Sequence, residues 1–90
     1  MKLTIMNASM KRDDEGAYLG QTIFQAEGYQ STFEITFFSK RGKEWDYSLH
    51  FTGDSGVEEE MLAVDALVEE NDDVYDELLD AAWNKLPEDV

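Results

Sequence analysis

Two stretches near the middle of the chain alternate residue by residue between apolar and polar side chains. In STFEITFFSK, Phe33, Ile35 and Phe37 are interleaved with Glu34 and Thr36. In EWDYSLHFTG, Trp45, Tyr47, Leu49 and Phe51 are interleaved with Asp46, Ser48, His50 and Thr52. A period of two in aromatic and β-branched residues marks strands with one buried face and one wet face. Between them, SKRGKE contains Gly42, which can supply the positive φ that a hairpin turn requires. The two runs therefore predict an antiparallel hairpin. Upstream the alternation is looser. KLTIMNASM sets Leu3 and Ile5 on one side and Thr4, Met6 and Ala8 on the other, and RDDEG reads as a turn. AYLGQTIFQAEG then offers a further strand ending before Gly28. Gly20 inside that run suggests a bulge or a close approach of backbones. Together these elements predict a four-stranded antiparallel meander.

Beyond GDSG the period changes. Val57, Met61, Val64 and Val68 step by four, three and four, and the stripe continues in phase through Asn71 to Tyr75, Leu78 and Ala82, with Leu86 near its end. This is helical spacing. Ser55 precedes Glu58 by three, the spacing of a capping box, so a helix should start near Gly56 or Val57. Glu58, Glu59 and Glu60 then occupy the first turn, where the helix dipole favours negative charge; Lys85 falls near the far end and Pro87 stops the helix. Asn71, Asp72 and Asp73 are good caps and poor helix interiors, which argues for two helices broken there. The alternative is one helix of roughly 45 Å, at a rise of 1.5 Å per residue, with Asn71 as a buried polar register mark between chains. We favour the break.

The fold class expected is α+β, a single domain over residues 1–90, with the meander followed by an acidic C-terminal helical segment packed on one face. Phe33, Ile35, Phe37, Trp45, Tyr47, Leu49 and Phe51 would meet Val57, Met61, Val64, Val68, Tyr75, Leu78 and Leu86. Composition agrees: 42% apolar residues with five Phe, four Tyr and two Trp can close one small core. No cysteine is present, so disulfides and thiolate ligands are excluded, which fits a reducing compartment. Neither a signal-peptide core nor a run of membrane-spanning length occurs, and a cytoplasmic location is expected.

Charge is where the chain departs from the ordinary. Residues 1–53 carry six basic and seven acidic side chains, whereas residues 54–90 carry Lys85 alone against fourteen acids. Direct nucleic-acid binding and anionic membranes are disfavoured, since both need clustered Lys and Arg. On a helical wheel Glu58, Glu59, Asp65, Glu69 and Glu70 point away from the apolar stripe, as do Asp76, Glu77 and Asp80; Asp72 and Asp73 lie at the break. Few have a lysine at helical pairing distance, so ion pairing along the helix does not explain them. Such a surface suits a basic protein partner or imitates the phosphate array of nucleic acid. The plainer account is a solvated helix face that aids solubility.

Other constellations are weaker. EENDD and DVYDE offer oxygen ligands, but the spacing of a calcium loop is missing, and no metal or cofactor is expected. His50, the single histidine, shares a strand face with Ser48 and Asp46 but has no strained elbow and no oxyanion hole beside it, so no enzyme is expected. Lys40, Arg41 and Lys43 form a basic hairpin tip that is either solvated or meets acidic helices of its own or a neighbouring molecule. Phe38, Leu62 and Trp83 fall off the apolar stripes and suggest a patch for self-association. Two functions follow: an acidic interaction module, such as an inhibitor or nucleic-acid mimic, or a structural or regulatory homodimer without catalysis.

Overall fold

The chain folds as the alternation requires. In the computed structural model, which describes residues 2–52 and 57–85, strands β1 (Leu3–Arg12), β2 (Tyr18–Ala26), β3 (Thr32–Ser39) and β4 (Asp46–Phe51) pair in sequence order. Every pairing is antiparallel, so β1 and β4 form the two edges. Register stacks the apolar face in rows: Phe33 lies between Phe24 and Phe51, Ile35 between Thr22 and Leu49, and Phe37 between Gly20 and Tyr47. Phe24, Phe33, Ile35 and Phe37 are completely buried. The β3–β4 connection turns at Gly42, with φ 79°, and the Gly42 N–H donates to Ser39 Oγ at 2.7 Å. Asp13 organises the first turn, its carboxylate accepting from the N–H groups of Glu15 and Ala17.

Strand β1 corrects the simple alternation. The register slips between Ile5 and Asn7, so Met6 is an extra residue that bulges outward and is 58% exposed. The slip resets the phase and turns Ala8 and Met10 inward beside Leu3, whereas unbroken alternation placed Ala8 with Thr4 and Met6. A bulge inserts one residue and so reverses every side chain beyond it. The Ala8 N–H donates to Asn7 Oδ1 at 2.9 Å within this irregular segment. Gly20 marks a close approach and not a bulge: it faces Met10, and a Cβ there would lie 2.6 Å from the Met10 methyl.

The helical segment is broken where the cap residues stand. Helix α1 runs from Glu58 to Glu70 and α2 from Asp72 to Trp83, with Asn71 extended between them at φ −117° and ψ 102°. The Asn71 carbonyl side chain accepts from the N–H groups of Asp73 (3.0 Å) and Val74 (3.4 Å), satisfying donors the helix start leaves free. Val64 and Val68 of α1, with Val74, Leu78 and Ala82 of α2, complete the core. Helix α2 packs against β1 and β2, and α1 packs beside β4. The Thr22 hydroxyl donates to the Leu78 carbonyl at 2.8 Å, a buried stitch between sheet and helix.

The start of α1 is tethered from elsewhere in the chain. Its N-cap is Val57, which has no side-chain acceptor of its own and is 40% exposed, outside the core expected for it. The Val57 N–H donates to Ser31 Oγ at 2.9 Å, while Glu60 accepts from the backbone N–H groups of Gln30 and Ser31. Ser31 and Glu60 thus exchange hydrogen bonds that tie the start of α1 to the β2–β3 loop. The capping role expected of Ser55, the core role of Leu86 and the stop at Pro87 lie outside the described residues. Among the described residues no helix is long and apolar enough to cross a membrane.

Candidate functional site: an acidic helical layer over an aromatic cleft

Helices α1 and α2 carry eleven acidic residues and no basic one. Their apolar stripe is anchored to the sheet, so the carboxylates are displayed on the remaining helix surface. Glu58, Glu59, Glu69, Glu70, Asp72, Asp73, Asp76, Glu77 and Asp80 are all exposed. Asp65 is half-buried and turns towards the sheet, its Oδ1 accepting from the Tyr47 hydroxyl at 3.4 Å. Glu60 is committed to the Ser31 loop, and those N–H donors hold its carboxyl below the usual carboxylate range. Among the described residues no ion pair joins a carboxylate to a lysine or arginine. The negative layer is therefore not neutralised from within.

The basic hairpin tip stands apart from it. Lys40, Arg41 and Lys43 surround their own cleft of about 430 Å³, which also touches Phe38, Glu44 and Asp46. Arg12 is engaged differently, its guanidinium lying 5.5 Å from the centroid of the Tyr18 ring. That cation–π contact was not legible beforehand, because Arg12 and Tyr18 meet only through the β1–β2 register.

A second cleft, of about 310 Å³, opens where the two helices meet the edge of the sheet. Trp45, Tyr47 and Tyr75 wall it with rings, Val68 contributes an aliphatic side chain, and Glu69 and Asp72 contribute carboxylates. The rings are held by one another: Tyr47 and Tyr75 centroids lie 5.9 Å apart at 66°, and Tyr75 meets Phe37 edge-on at 5.7 Å. Trp45 is braced by Trp83 at 6.0 Å and 90°, and by Phe37 at 6.4 Å. Burial, together with Asp65 and Glu69 beside it, pushes the Tyr47 hydroxyl up to about 12. Burial, Asp76 and Asp46 raise Tyr75 as well. Sequence patterning assigned all three rings to the core; they are half-buried instead, because the helices end their cover at this edge.

The remaining candidates are dispersed. Ser48 Oγ and His50 Nε2 approach to 2.9 Å on the outer face of β4, opposite Thr36 and Glu34. Neither is hydrogen-bonded to Asp46 among the described residues, so the contact is a pair and not a triad. Phe38 faces away from the helices and pairs with Leu19, both partly exposed. Leu62 projects from α1 at 65% exposure, and Trp83 packs on Tyr18 and Trp45 at the end of α2. Phe38 therefore lies across the sheet from Leu62 and Trp83, which stand on α1 and α2. Among the described residues no three acidic or imidazole groups converge as a metal site would require. Comparison with protein-family models, with curated proteins and with solved structures finds no match to this chain.

Proposed function

We propose that this protein is a small acidic interaction module that binds a basic protein partner, occupying the surface with which that partner would hold nucleic acid. The observation that carries the reading is the run of nine exposed carboxylates on α1 and α2 with no cation paired to them among the described residues. Carboxylates this dense repel one another, and a cationic partner relieves that repulsion while gaining a steered approach. On this reading the module works by binding.

Affinity capture at low and high salt is the test. The expected result is a basic partner retained at low ionic strength, released by salt, and displaced by duplex DNA. A variant carrying Gln or Asn at Glu69, Glu70, Asp72, Asp73, Asp76 and Glu77 should lose at least about tenfold in affinity. Absence of any basic partner at low salt removes the proposal.

A further inference from the structure

The acidic layer does not present a uniform surface to a cation. Most of its carboxylates stand on open helix, where water screens them and a single contact contributes little. The 310 Å³ cleft is different, because charge there meets aromatic faces. Glu69 closes the last turn of α1 and Asp72 opens α2, so the break at Asn71 sets both on one rim. Trp45, Tyr47 and Tyr75 line it: Tyr47 and Tyr75 are tilted against each other, Phe37 braces Tyr75 and Trp45, and Trp83 braces Trp45. Rings fixed in advance lose little freedom when a ligand enters. No lysine or arginine of the chain lines this cleft.

We infer that the cleft between β4 and the α1–α2 junction is the anchor point for an arginine side chain of the basic partner, stacked on Trp45, Tyr47 and Tyr75 and paired with Glu69 and Asp72. Arginine is favoured over lysine by chemistry. Its planar guanidinium stacks on aromatic faces, binds carboxylates through a fork of N–H donors and sheds water more easily than an ammonium. Burial, then Asp65 and Glu69, raise the Tyr47 hydroxyl, and burial, Asp76 and Asp46 raise that of Tyr75, so negative field and partial burial coincide beside the cleft. This inference rests on the basic-partner reading and refines it, from a diffuse charged surface to one position that selects a side chain.

Tetra-arginine amide and tetra-lysine amide serve as probes, with amide chemical shifts and titration calorimetry at low salt as readouts. The expected result is tighter binding of tetra-arginine, with shifts centred on Trp45, Tyr47, Glu69 and Asp72. Glu69→Gln with Asp72→Asn, and separately Tyr75→Leu, should each weaken it by about tenfold. Glu58→Gln with Glu59→Gln removes the same charge away from the cleft and should cost no more than about threefold. Tyr75→Phe keeps the ring and should retain binding, which separates loss of the cage from loss of fold. Equal losses for the two charge-removal pairs, with Tyr75→Leu unaffected, overturn the anchor and leave the basic-partner reading standing. Equal affinity for tetra-lysine overturns the choice of arginine. No binding of either peptide at low salt overturns both readings. A dimer in sedimentation that is abolished by Arg41→Gln assigns the cleft to the hairpin of a second copy, against a separate partner.

Discussion

Tyr47 reports most directly on the field at the cleft. Burial first, then Asp65, to which its hydroxyl donates, and Glu69 push it up to about 12 from an ordinary value of 10.0. A raised value means that the folded protein holds the neutral phenol more firmly than the unfolded chain does. The associated stability is complete below pH 10 and is lost as the pH rises from there towards about 12. Absorbance titration of the phenolate should show one tyrosine ionising well above the others, and Asp65→Asn with Glu69→Gln should bring it down. At this scale the sequence was an uneven guide. Nine of the ten carboxylates expected to point outward do so, because helical spacing fixes their direction; Asp65 is the exception, drawn back to the Tyr47 hydroxyl across the sheet edge. The cleft was not readable, because Trp45, Tyr47 and Tyr75 have the same pattern whether fully or half covered. What decides between those states is where the helices end over the sheet, which no local pattern encodes.

Among the elements, the break at Asn71 and the position at which α1 starts were legible, whereas the contacts that hold that start were not, and the reason is the range of the interaction. Asn71 caps α2 through N–H groups two and three residues ahead, so the signal is local. Asn71→Ala should therefore lower stability by about 1 kcal/mol, measured by denaturant unfolding, with α2 fraying at its first turn in hydrogen exchange. Helix α1 instead ties its N-cap residue to Ser31 and lends Glu60 to the same loop, an exchange spanning 26 and 29 residues. Ser55 offered the right spacing for a cap nearby, and Ser31 could not be singled out until the loop was seen beside the helix. The β1 bulge at Met6 was hidden for a similar reason: nothing in LTIMNASMKR marks which residue is supernumerary. The hairpin, by contrast, was fixed by two clean alternations and a glycine between them.

On the scale of the whole molecule, a net charge of −14 is confined to a body measuring 38 × 24 × 19 Å. Most of that charge lies on two adjacent helices, within a few Debye lengths of itself at physiological salt. Self-repulsion opposes folding, and no ion pair among the described residues offsets it. Added sodium chloride should therefore raise the melting temperature steadily over the range in which the Debye length falls from about 30 Å to about 8 Å, as followed by circular dichroism. A melting temperature indifferent to salt would mean that the carboxylates do not feel one another, and the case for a cationic partner would weaken with it.

The meander has two margins, β1 and β4, and among the described residues no further strand pairs with either. Open margins invite copies to join strand to strand into filaments. Like-charged molecules keep their distance, so the carboxylates that suit a cationic target also hold identical neighbours apart. That protection has a chemical off-switch: near the isoelectric pH of about 4.1 it vanishes, and the bare margins are then free to zip together.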